Sequence, residues 1–182
     1  MAGGHNTADQ DLTGASELSL IARLCLALCC FERYCRATEL QCKSIRDFVE
    51  YMWEWPLMAT PENFSDWEDK ATGLVRMGRG GPPPADVAAV LQQKRIDPVE
   101  FRELVESTVE IIWGSFYAAS DNRGSLEFLA RVVSICKRRG VQIPPVIEFA
   151  ESRFADDNGW GVRATPDQRD RWRRFSAPPE AK

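Results

Sequence analysis

The chain has 182 residues, 44% hydrophobic and 27% charged, with 27 acidic against 23 basic side chains and a net charge of −4. That length suits one domain with a single sizeable core. The acidic balance argues against a general nucleic-acid binder, which carries a basic face, and the apolar stretch Leu18–Phe31 contains Arg23 and is too short to span a bilayer.

Residues 1–14 are rich in Gly, Asn, Thr and Asp, the composition of a disordered arm. The segment before Leu18 is acidic and has no Lys or Arg, the opposite of the start of a signal peptide, which points to the cytoplasm. Ser16 is placed to cap a first helix running to about Ala37. Leu20, Ile21, Leu24, Leu28, Phe31 and Cys35 form its apolar stripe, and Leu26, Cys29 and Cys30 fall on the other side, so this helix should be buried on most faces. Five of the six cysteines lie between Cys25 and Cys42, four of them within that helical pattern. Cys25 and Cys29 are one turn apart, a poor geometry for bridging, so packed free thiols in a reducing compartment are expected.

Ser44 reads as the N-cap of a second helix, with Asp47 as its capping partner. Phe48, Tyr51, Met52 and Trp55 repeat at helical spacing, and Pro56 ends or kinks the run. Thr60-Pro61-Glu62 opens a third element carrying Phe64, Trp67, Leu74 and Val75. Gly78-Arg79-Gly80-Gly81-Pro82-Pro83-Pro84 is a loop; it lacks the GK[ST] ending and the preceding strand of a phosphate-binding loop. A short helix over Ala85–Lys94 follows, then a long one from Asp97-Pro98 to about Ala119. Its inner face is Phe101, Leu104, Val105, Thr108, Ile112 and Phe116. Asp121–Gly124 is a tight turn before a helix over about Ser125–Arg139, closed by basic residues and Gly140. Pro144-Pro145 starts a last short helix to about Phe154. Asp156-Asp157-Asn158-Gly159 lacks the acids of a calcium loop and reads as a turn, with Trp160 folded back on the core. Residues 163–182, with Arg163, Arg169, Arg171, Arg173 and Arg174 around Trp172, read as a loosely attached, solvated basic tail. The expected architecture is an all-α single-domain bundle of six or seven helices over residues 15–162.

Few chemical motifs are present. His5 is the only histidine and lies in the N-terminal arm, which removes Ser-His-Asp, Cys-His and His-rich zinc chemistry from the core. The cysteine spacings contain no CxxC pair. Glu103, Glu106 and Glu110, with Glu100 a turn earlier, line one helix face, but the Glu-x-x-His pairs of a di-metal bundle are missing, so a solvated acidic face is expected and no cofactor is implied. Carboxylate-dependent hydrolysis needs only a pair of acids, and nothing in the sequence singles one out.

What stands out is Ser44–Lys70, where Phe48, Tyr51, Trp53, Trp55, Phe64 and Trp67 sit among Asp47, Glu50, Glu54, Glu62, Asp66, Glu68 and Asp69. Aromatic anchors ringed by one sign of charge suit a protein-binding surface. Helical spacing assigns Phe48, Tyr51 and Trp55 to the core, and places Trp53 and Glu54 on the opposite side. The candidate partner-binding residues are therefore Trp53, Glu54, Asp66, Glu68 and Asp69.

Trp113–Ala119, Gly124–Leu129, and Phe154 with Asn158-Gly159-Trp160-Gly161 make this layout resemble the small, acidic, helical immunity proteins of bacterial toxin systems. The resemblance implies a non-catalytic inhibitor that binds a cognate protein toxin, such as a nuclease with a basic cleft, with no nucleic-acid or membrane partner. A structural or regulatory helical adaptor is the alternative.

Overall fold

The structure, a computed structural model, describes residues 12–58, 63–116 and 120–178. Those residues form eight α-helices and no β-strand. They are α1 (Leu20–Ala37), α2 (Lys43–Met58), α3 (Phe64–Glu68), α4 (Gly73–Gly78), α5 (Ala85–Lys94), α6 (Pro98–Phe116), α7 (Asn122–Arg138) and α8 (Pro166–Arg173), joined by short 3-10 turns. The fold is an all-α single-domain bundle, as the sequence implies, and no helix among the described residues is long and apolar enough to cross a membrane. The N-terminal arm through Asp11, with His5, and the Thr60-Pro61-Glu62 start lie outside the described residues.

Helix α1 is the axis of the bundle. Fifteen of its eighteen residues are buried, because α2, α6, α7, α8 and the turns at Val146–Phe149 and Arg174–Ser176 surround it. The apolar residues on all sides of α1 demand such a jacket. Its N-cap is Ser19, whose Oγ accepts from Ala22 N at 3.1 Å, and not Ser16. Ser16 is taken into a 3-10 turn, Ala15–Glu17, and the chain then pairs with the segment around Arg153: Ser19 N donates to the Ser152 carbonyl at 3.0 Å and Phe154 N to that of Glu17 at 2.7 Å.

Arg23 lies in this axis and is fully buried. Its Nε donates to the Ala15 carbonyl, Nη1 to the Asn122 carbonyl and Ser125 Oγ, and Nη2 to the Ser16 carbonyl and Asn122 Oδ1. All five donors of the guanidinium are thus satisfied. Burial pushes its pKa down to about 10, which leaves it charged at neutral pH. It staples α1 to the preceding turn and to the start of α7.

Helix α2 starts at Lys43, and Asp47 does not cap it. Asp86 of α5 does so from across the bundle: Ser44 N and Oγ donate to its carboxylate at 2.9 and 2.7 Å. Asp47 instead pairs with Lys43 at 2.5 Å. The helix continues through Pro56 to Met58. The single third element is two short helices, α3 and α4. Helix α4 rests directly on α6, where a Cβ on Gly78 would lie 3.3 Å from the Glu106 backbone and from Val105 and Val109. Helix α7 begins three residues earlier than expected because Asp121 caps it, accepting from Arg123 N at 3.0 Å. The expected helix after Pro144-Pro145 is only a 3-10 turn, Val146–Phe149.

The largest departure is at the C-terminal side. The chain beyond residue 162 is a docked element through residue 178. Thr165 caps α8, with Pro166 at its first position. Trp172 is fully buried beside Phe149, and its indole donates to the Glu148 carbonyl at 3.2 Å. Two arginines of α1 hold the 3-10 turn that follows: Arg33 donates to the carbonyls of Phe175 and Ala177, and also to that of Gln142, at 2.7 to 2.9 Å, and Arg36 donates to that of Ser176 at 2.6 Å. A polar composition concealed this because the anchors are few and the partners are backbone atoms.

Candidate partner-binding surface

Trp53 is not on the surface. It is fully buried: its Nε1 donates to Glu32 Oε1 at 2.7 Å, and the Arg173 guanidinium lies 5.8 Å from its ring centre. Its side of α2 does turn away from the Phe48–Tyr51–Trp55 stripe, but the docked C-terminal segment covers it. Glu32 also accepts from Ser176 Oγ at 2.8 Å, and Arg173 forms a two-pronged ion pair with Glu50. Glu50 is held below the usual carboxylate range chiefly by that hydrogen bond. Trp53 is therefore withdrawn from the binding set.

The four acids remain accessible. Glu54, Asp66 and Asp69 are exposed and Glu68 is half-buried. They sit on a rigid aromatic bed. Tyr51 stacks on Trp67 at 4.4 Å between ring centres and donates its hydroxyl to the Trp67 carbonyl at 2.8 Å. Trp67 in turn contacts Trp55 and Trp113, each at 4.7 Å, and Phe64, Phe116 and Trp160 complete the cluster. The Tyr51 phenol is shifted well up, first by burial and then by the nearby charges of Glu68 and Glu54. The Tyr51–Trp67 stack ties α2, which carries Glu54, to α3, which carries Glu68, and the charges of both acids act on the Tyr51 phenol.

Two further acids join this face from α6. Glu68 Oε1 accepts from Arg79 Nη1 at 2.5 Å and from Trp113 Nε1 at 3.2 Å, and Arg79 lies 5.9 Å from the Trp113 ring centre. Glu110 is half-buried beside Arg79; burial raises its carboxyl, Arg79 opposes that, and Glu106 reinforces it. The Glu103–Glu106–Glu110 spacing marked this acidic face in the sequence, but its meeting with Glu68 through Arg79 required the tertiary fold.

The six cysteines are thiols, five buried and Cys42 half-buried. Burial pushes Cys25 and Cys35 well up and Cys29 up to about 12, so these thiols stay neutral packing groups rather than nucleophiles. Among the described residues no group of three or more His, Cys, Asp or Glu side chains is arranged to hold a metal ion. Comparison with protein-family models, with curated proteins and with solved structures finds no match to this chain.

Proposed function

We propose that this protein is a non-catalytic inhibitor of the toxin-immunity type, acting in the bacterial cytoplasm by covering the cationic active-site surface of a cognate protein toxin. The observation that supports this reading is that the Tyr51–Trp67 stack ties α2 to α3, the two helices that carry the accessible acids Glu54, Asp66, Glu68 and Asp69. Exposed Glu54, Asp66 and Asp69, on helices anchored by packed aromatic rings, offer a negative surface that speeds encounter with a basic partner. Asp66 and Asp69 extend the negative charge on α3, and Glu106 and Glu110 extend it on α6. The test is inhibition of the toxin encoded beside the gene for this protein. Glu54→Lys, at an exposed position, should slow association at least about tenfold at low salt, with wild-type stability retained. Full inhibition by an equimolar amount of the variant, at an unchanged association rate, removes the acidic face from the mechanism.

A further inference from the structure

On another part of the molecule, α4, the C-terminal half of α5 and the first turn of α6 enclose an open groove of about 500 Å³. That volume lies within the range of small-molecule sites. Its floor is apolar, with Met77, Leu91 and Ile96 buried in it, and Val99 stands at its edge, 71% exposed. In a chain of net charge −4, both charged residues that line this groove are arginines, Arg95 and Arg102, and no carboxylate lines it. Asp97, next to Ile96 in sequence, is occupied in accepting from Val99 N at 2.9 Å at the start of α6.

The two arginines differ in what they have left to offer. Arg102 Nη1 donates to the carbonyls of Met77 and Gly81 at 2.9 and 3.0 Å, which fixes its guanidinium on the groove wall. Arg95 has no hydrogen bond or ion pair from its side chain among the described residues, whereas the preceding Lys94 is paired with Glu39 at 2.5 Å. The Arg95 backbone is left-handed, with φ 54° and ψ 40°, at the C-cap of α5. That position favours glycine or asparagine, and a residue with a Cβ is strained there. A glycine would relieve the backbone; the arginine places an unpaired planar fork at the rim of an apolar trough. Such a fork matches a carboxylate through two parallel hydrogen bonds.

From this geometry we infer that the groove binds a free medium-chain carboxylic acid, its hydrocarbon body along Met77, Leu91, Ile96 and Val99 and its carboxylate on Arg95. The site is independent of the acidic face and of the inhibitor reading. Octanoate is the probe, titrated into the full chain while methyl resonances are followed by NMR. Shifts confined to the methyls of Leu91, Ile96, Val99 and Met77 are expected. Arg95→Gln, at an exposed position, should weaken octanoate about tenfold while leaving octanol unchanged, since a hydrogen bond to a charged group is what is lost. Val99→Asp, which places a like charge at the rim without touching the core, should weaken octanoate by at least as much. Absence of saturable shifts at these methyls, octanol binding as tightly as octanoate, or an acidic peptide without an alkyl chain binding more tightly than either overturns the inference.

Discussion

Arg23 concentrates more of the fold than any other side chain. A buried charge without an ion-pair partner is tolerable only when every donor is satisfied, and its five bonds reach two separate segments, the Ala15–Glu17 turn and the start of α7. Arg23→Leu removes the charge but strands those oxygens, so it should lower unfolding free energy by about 2–4 kcal/mol, read as a shift in urea midpoint. Arg23→Lys, which keeps the charge but lacks the fork, should not restore the loss. The buried thiols set a different dependence. Folded Cys25, Cys29 and Cys35 hold their protons well above pH 9, while the same thiols in the unfolded chain lose them near 9. The unfolded state then binds fewer protons, so stability is fully present below pH 9 and declines as pH rises above it, by roughly 1.4 kcal/mol per pH unit for each thiol. Urea midpoints measured between pH 8 and 10 should fall, and Cys29→Ala should make the decline shallower. A flat profile contradicts the buried neutral thiols.

At the scale of elements, α8 and the 3-10 turn after it decide which surfaces are available. Trp172 sits between α1 and the Val146–Phe149 turn, so Trp172→Ala should cost about 3–5 kcal/mol in unfolding free energy, the usual cost of emptying a buried aromatic site. A loosely attached tail would give a change near zero. The same docking accounts for what could be read in the sequence and what could not. Helices α5 and α6 were legible because Pro84, Asp97-Pro98 and an unbroken 3.6-residue pattern mark them locally. The burial of α1 was legible because apolar residues fall on most of its faces. Trp53 was misplaced although its direction on α2 was right: periodicity gives the direction of a side chain and says nothing of what covers it. The cover comes from a polar segment about 120 residues later, held by Glu32, Arg33 and Arg36 through bonds that leave no periodic trace. Helix capping shows the same limit, since Asp86 reaches Ser44 from another helix while the local candidate, Asp47, is spent on Lys43.

For the molecule as a whole, charge is distributed unevenly. Arg79 meets Glu68 of α3 and acts on Glu110 of α6 beside the aromatic cluster, while the only charged residues lining the groove beside α5 are arginines. Of the candidate site, the four acids were legible from their density in Ser44–Lys70, but the contribution of Glu106 and Glu110 depends on Gly78 allowing α4 to lie against α6. Electrostatic steering by such a face weakens as salt screens it. The association rate of the wild type with a basic toxin should therefore fall with ionic strength, and that of Glu54→Lys should fall less steeply; equal slopes would place the contact elsewhere.

The central position of α1 also has a temporal side. Its bonds run to Asn122, Gln142 and Ala177, from 99 to 144 residues further along the chain. Among the described helices, a ribosome thus produces the one with the most buried residues before the others, and the last of its neighbours at the far end. For most of synthesis the jacket of this helix is incomplete, and contacts over such sequence distances form slowly. Until the closing segment exists, the apolar surface of this helix stays partly open, the condition under which a nascent chain is exposed to aggregation.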